Sequence, residues 1–204
     1  FYSQRKYKDK IIIKIKIKGI IKSFSVSKYL SSYIDNILAS ISILSVYFDI
    51  KKLNYDLFSG FYIPKSRGTL INFKTGTKKL TIIDESYNSN PLSLKFALER
   101  YDTLYKKNDK KFLLLGDMLE LGKYSKKLHI KIAKYINKSK INKIYVYGEQ
   151  TRHTFNKLKP QIKGRILKNK IDICNLINND LPNNSFLMVK GSNSTGLNKI
   201  IKSL

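Results

Sequence analysis

From Thr77 to Leu204 short apolar runs alternate with amphipathic ones, and this alternation restricts the fold more than any other feature of the chain. The runs KLTIID (Lys79 to Asp84), FLLLG (Phe112 to Gly116), KIYVYG (Lys143 to Gly148), RIL (Arg165 to Leu167) and SFLMVKG (Ser185 to Gly191) predict strands. Between them, residues 91–107, 123–139, 151–159 and 171–181, and finally 197–204, carry apolar side chains at helical spacing, as in Leu128, Ile132 and Ile136. Strand and helix in strict turn predict a mostly parallel sheet covered on both faces.

The first third of the chain has a different period. In IIIKIKIK (Ile11 to Lys18), Ile13, Ile15 and Ile17 alternate with Lys14, Lys16 and Lys18, which predicts a strand with one dry and one wet face. After Gly19 the alternation resumes in SFSVS (Ser23 to Ser27), so the pair reads as a hairpin. From Leu30 the period becomes helical through Ile34, Ile37, Leu38, Ile41 and Leu44, with a shorter helix near Leu53 and Leu57. Pro64 and Gly68 bracket a loop, and a domain boundary is expected near Gly76, giving domains of residues 1–76 and 77–204 with a hinge between them.

The 204 residues carry 40 Lys and Arg against 14 Asp and Glu, a net charge of +26. Such a charge raises the alternative of a nucleic-acid-binding module. Ile and Asn are enriched beside Lys, however, as A/T-rich codons would produce, and no base-stacking motif accompanies the charge. It is therefore read as solvated lysine faces, and no nucleic-acid partner is expected. One cysteine, Cys174, excludes an internal disulfide, and no Cys/His cluster has metal spacing. No apolar run is long enough to span a bilayer. A cytoplasmic monomer without membrane insertion is expected. The chain starts at Phe1, which is read as the start of a portion of a longer protein.

Ligands of open parallel sheets bind outside the carboxyl ends of the strands. Here those ends read Asp84-Glu85-Ser86-Tyr87-Asn88, Gly116-Asp117, Gly148-Glu149 and Lys190-Gly191-Ser192. Strand ends are commonly polar and glycines commonly serve turns, and Gly148-Glu149 is read that way. For Asp84 and Asp117 a turn role and a binding role remain equally open on physics alone.

Three of these segments resemble the Mur ligase family. DESYNSNP (Asp84 to Pro91) is similar to the motif at the first strand of the family's C-terminal domain. LGDMLELG (Leu115 to Gly122) resembles the branch that adds D-alanyl-D-alanine, and VKGS (Val189 to Ser192) the last strand. Arg67-Gly68 resembles an upstream arginine-glycine turn, Asn36-Ile37-Leu38-Ala39 a helix of the central domain, and His129 a family histidine. The resemblance implies a Rossmann-like C-terminal domain preceded by the tail of an ATP-binding central domain. It implies ATP-dependent amide ligation through an acyl phosphate, with Mg2+ as cofactor. The substrates would be UDP-N-acetylmuramoyl-tripeptide and D-alanyl-D-alanine. Arg67, Asp84, Tyr87, Asn88 and Asn36 would then face the nucleotide, and Asp117 and Lys190 the incoming dipeptide. His129 is expected to be structural, and no residue is assigned as catalytic or as a metal ligand.

The chain departs from the family in places. Ser32 and Tyr33 stand where the family has His and Asn, and Asn193 where many members have Arg. No G-x-x-x-x-G-K-[ST] phosphate loop occurs in the 204 residues, so they are expected not to carry out ligation alone. A Mur ligase acting on another amino acid is disfavoured by the LGDMLELG match.

Overall fold

The computed structural model describes residues 2–62, 64–104 and 109–204. Residues 105–107 of the expected helix lie outside the described residues, as does the side chain of Ser32. The chain forms two compact units, residues 1–63 and 64–204.

In the first unit β1 (Tyr2–Lys6), β2 (Lys10–Ile17) and β3 (Ile20–Ser27) form an antiparallel sheet in that order. The expected hairpin is β2–β3, turning through Lys18 and Gly19, both at positive φ. Its isoleucine alternation is real: Ile11, Ile13 and Ile15 are buried while Lys14 and Lys16 are exposed. α1 (Ile34–Tyr47) lays Ile34, Ile37 and Ile41 on that face, with Phe24 and Phe58 meeting edge to face at 5.9 Å. Each such fully buried apolar side chain contributes about 2 kcal/mol. β1 was not anticipated, because YSQRK is polar and exposed throughout and pairs through its backbone alone.

The second unit is a six-stranded sheet. β4 (Thr69–Thr75) forms one edge antiparallel to β5 (Lys78–Glu85); β5, β9 (Ser185–Lys190), β6 (Lys111–Gly116), β7 (Lys143–Tyr147) and β8 (Lys163–Leu167) follow in that spatial order, all parallel. The mostly parallel α/β sheet is therefore present, with one added antiparallel strand. Gly76 lies in the tight turn between β4 and β5, inside this unit, and β4 pairs with β5 from Thr69 to Thr75.

Both faces are covered. Ile83, Leu113, Leu115, Ile144, Val146 and Met188 point to α2 (Pro91–Leu104) and α3 (Ser125–Ile136), with α4 (Thr151–Asn156) beside α3. Ile82, Leu114, Leu187 and Val189 point to α5 (Lys170–Asn175), its π-helical continuation Leu176–Asp180, and α6 (Leu197–Lys202). The helices after β5 and β6 thus lie on one face, while the helix after β9, the strand between them, lies on the other. This arrangement opens a crevice at the carboxyl ends of β5, β9 and β6. Gly116 and Gly191 face each other there, and a Cβ on either would run into Leu197 of α6.

The pairing of β4 places the independently folding segment at residues 64–204. Expressed alone, 64–204 is expected to unfold cooperatively in urea. Residues 77–204, which lack β4 and with it Ile71 and Phe73 packed on the core beside β5, are expected to lose about 2–4 kcal/mol. Equal stability of the two segments would place the boundary at Gly76 instead.

Candidate functional site

At the end of β5 the chain buries a carboxylate. Asp84 is only 2% exposed, so each of its oxygens needs donors. One oxygen accepts from the Ser66 hydroxyl at 2.7 Å, and the other from the Ser86 amide at 3.0 Å and the Ser86 hydroxyl. The backbone reinforces this: Gly68 N donates to Asp84 O at 2.8 Å and Tyr87 N to Ser66 O at 3.0 Å. The Ser66-Arg67-Gly68 turn is thereby fastened to the strand end. It needs fastening, since Ser66 sits at φ 62, a region uncommon for residues other than glycine, and Gly68 at φ 94. A Cβ at Gly68 would stand 3.1 Å from the Arg100 guanidinium and 3.2 Å from the Glu85 carboxylate.

The fastened turn holds Arg67 with its guanidinium carbon 4.1 Å from the centre of the Tyr87 ring. Tyr87 is 45% exposed, so this stacked pair borders solvent. Beneath it, Glu85 lies 4.0 Å from Arg100 and 4.0 Å from Lys190. Burial pushes the Glu85 carboxyl above its ordinary range, against the pull of Lys190 and Arg100. Burial likewise pulls Lys190 below the ordinary lysine range, opposed by Glu85. Arg67, Arg100 and Lys190 thus face Asp84 and Glu85, three cations against two carboxylates, and the strand end keeps a surplus of positive charge. An anionic ligand suits such a place.

The remaining expected site residues are distributed differently. Asn88 is exposed and its carbonyl accepts from Lys190 Nζ at 2.9 Å. Lys190 is 2% exposed and directs its ammonium to that loop. Asp117 is buried too, and its carboxylate accepts from Thr151 N at 2.7 Å and Gln150 N at 3.2 Å at the start of α4. Gly148 (φ 127) admits this carboxyl, which a Cβ there would overlap. Asn36 is exposed on α1 in the first unit, its carbonyl accepting from Ser40. Arg67, Asp84, Tyr87, Asn88 and Lys190 are thus brought together around the end of β5. Asp117 engages the neighbouring loop, and Asn36 stands in the other unit.

Sequence reasoning missed Ser66, Ser86, Glu85 and Arg100. Ser86 lies within the DESYNSNP stretch and so carried a signal. Ser66 and Arg100 carried none, since only the fold brings them to β5.

His129 is fully buried, and its Nε2 accepts from Met118 N at 3.1 Å while Nδ1 lies 2.9 Å from Ser125 O. That pattern requires a neutral ring protonated on Nδ1. It fixes the Met118 turn after β6, which Ser192 also holds by accepting from Leu119 N at 2.9 Å. Burial lowers the affinity of the His129 ring for a proton, with the Ser125 carbonyl and Asp117 opposing and His153 assisting. Among the described residues no three His, Cys, Asp or Glu side chains are grouped to hold a metal ion.

Two outcomes follow from these bonds. Asp84→Ala leaves the Ser66 and Ser86 hydroxyls without their acceptor and is expected to cost about 2–4 kcal/mol in a urea titration. Because the folded His129 binds a proton more weakly than the unfolded one, its contribution is complete above about pH 6.5 and is lost as pH falls below that value. The urea midpoint is therefore expected to fall as the pH drops through about 6.5 and below, with a smaller fall in His129→Gln.

The Mur ligase, glutamate ligase domain matches residues 71–193. The chain is 30% identical over 139 residues to UDP-N-acetylmuramoyl-tripeptide--D-alanyl-D-alanine ligase of Rickettsia prowazekii, covering 68% of this chain and 30% of that protein. It is 29% identical over 192 residues to the Bacillus subtilis ligase of the same name, covering 92% and 41%. The crystal structure of the Thermotoga maritima MurF ligase in complex with ADP superposes with a TM-score of 0.69 at 16% identity, over 98% of this chain and 44% of that one. The chain spans less than half the length of each of these proteins. Since the matched domain takes in every strand from β5 to β9 and more than half of the residues, this protein belongs to the Mur ligase family.

Proposed function

We propose that this chain supplies the C-terminal part of an ATP-dependent ligase that joins D-alanyl-D-alanine to UDP-N-acetylmuramoyl-tripeptide in peptidoglycan precursor synthesis in the cytoplasm. The carrying observation is Arg67, stacked on Tyr87 and fixed by the Asp84-anchored turn at the crevice of the sheet. The named D-alanyl-D-alanine ligases among the relatives support the substrate choice. The ADP-bound neighbour supports the nucleotide.

Arg67 offers a planar, permanently charged fork that suits a phosphate or ribose oxygen, and stacking on Tyr87 limits the freedom it must lose on binding. Asp84 acts through the turn, holding Arg67 in place. Asn88 borders the same opening, and Lys190 bolts its loop to β9. ATP would supply the phosphoryl group that turns the tripeptide carboxylate into an acyl phosphate open to attack by the dipeptide amine. Mg2+ would be held chiefly by the nucleotide's phosphates, since among the described residues no three His, Cys, Asp or Glu side chains are grouped and the ion needs few protein carboxylates. We assign Asp117 to the incoming dipeptide's side only through the loop it orders, and Asn36 to the nucleotide side on resemblance. With no phosphate loop in the 204 residues, ligation requires one supplied from outside them.

Calorimetric titration of ADP into the chain tests the reading. Arg67→Ala is expected to weaken binding by about tenfold, as loss of one charge-assisted contact would. Arg67→Lys is expected to restore only part of it. Unchanged affinity in Arg67→Ala would remove Arg67 from the nucleotide site.

A further inference from the structure

The strand-end site leaves one concentration of charge unused. α3 buries His129, Ile132, Ala133 and Ile136 and turns Lys126, Lys127, Lys131 and Lys134 to solvent, with Lys123 and Lys138 exposed at its two ends. At about 100° per residue Lys127, Lys131 and Lys134 fall on the side opposite the buried stripe, and Lys126 lies on its flank, still exposed. No Asp or Glu occurs between Lys123 and Lys140. Among the described residues none of these six lysines is in an ion pair, whereas Lys95 on α2 pairs with Glu99 and Arg100 with Glu85. Like charges three and four apart on one helix repel, so the stripe works against the helix that carries it. Nor are lysines spread evenly over the helices, since α1 has none.

We propose that the exposed face of α3 docks on an anionic phospholipid bilayer, as a peripheral contact without insertion. Clustered lysines on one helix face are attracted by the negative potential of such a surface and need no specific partner geometry. A row of lysines on the exposed face of one helix meets a plane more readily than it encloses a strand. All six cations are lysines, which act as point charges and lack the arginine fork that reads phosphates or bases in pairs. Tyr124, 56% exposed, and Ile130, 36% exposed, stand among them. An exposed aromatic ring amid lysines suits the headgroup layer, where such rings are enriched. Lys123 lies 5.5 Å from the Tyr124 ring centre, keeping charge and ring together. These features favour a bilayer over a nucleic acid.

The test is co-sedimentation of the 204-residue chain with vesicles of phosphatidylglycerol and phosphatidylcholine, against phosphatidylcholine alone. One variant carries Lys126→Gln, Lys127→Gln, Lys131→Gln and Lys134→Gln. A second removes the same charge elsewhere on the unit by Lys74→Gln, Lys168→Gln, Lys170→Gln and Lys199→Gln, all exposed positions. Glutamine keeps helix propensity, and circular dichroism checks that both variants fold. The stripe variant is expected to lose at least about tenfold in affinity for the anionic vesicles and the second variant less than about threefold. Equal losses would show that net charge alone drives binding, and an undiminished stripe variant or an unbound parent would also overturn the proposal. So would a stripe variant that loses single-stranded RNA binding while still binding vesicles.

Discussion

A carboxylate taken out of water must find donors, and at Asp84 that requirement organises the end of the sheet. Its oxygens draw in Ser66 from a turn before β4 and Ser86 from the loop after β5. The turn is left-handed at Ser66 and again at Gly68, so it would not hold its shape unaided. Once it is held, Arg67 stacks over the Tyr87 ring. Glu85, one residue on, balances Arg100 and Lys190 beneath the stacked pair. The outward cation thus depends on an inward anion through the Ser66 turn. Removing the buried group would disturb a residue it does not touch.

The other charged strand ends follow the same inward logic. Asp117 caps the start of α4 and Lys190 ties β9 to the Asn88 carbonyl. Their charges join neighbouring loops into one hydrogen-bonded rim. His129 and Ser192 complete it by holding Met118 and Leu119. A rim fixed in this way presents a preorganised edge to whatever enters the crevice, and preorganisation lowers the entropic cost of binding. Gly116 and Gly148 make it possible, because a Cβ there would overlap Leu197 and the Asp117 carboxyl, and Gly191 keeps its own approach to Leu197 loose.

The excess of positive charge divides into two kinds. At the crevice, arginine and lysine are opposed by buried carboxylates and shaped by the fold. On α3, lysines stand unopposed along one face. The first kind suits a defined anion and the second a diffuse one. A net charge of +26 conceals that difference, since it counts both alike.

Much of this architecture was legible in the residues. The isoleucine alternation from Ile11, the helical spacing of α1 to α3, and the continuous apolar strands of a doubly covered sheet all record which side of each element is dry. The DESYNSNP, LGDMLELG and VKGS stretches marked the strand ends where the site lies. Edge strand β1 was not legible, because its side chains are exposed throughout and leave no period; β4 does alternate half-buried Ile71 and Phe73 with exposed Asn72 and Lys74, but the run is short and follows the Pro64–Gly68 loop, where a boundary rather than a strand is expected. Nor was the insertion of β9 between β5 and β6, a contact across a hundred residues set by how helices share the two faces. The direction of Asp117 and Lys190 was hidden for a related reason. A polar residue at a strand end can turn to solvent or to a neighbouring loop, and only packing brings the Thr151 amide and the Asn88 carbonyl within reach. The sequence by itself determined the periods and the motif positions, since these depend on neighbours along the chain. The tertiary structure alone decided strand order, the anchoring of Arg67 and the inward turn of the charges, since each depends on donors and acceptors that become neighbours only on folding.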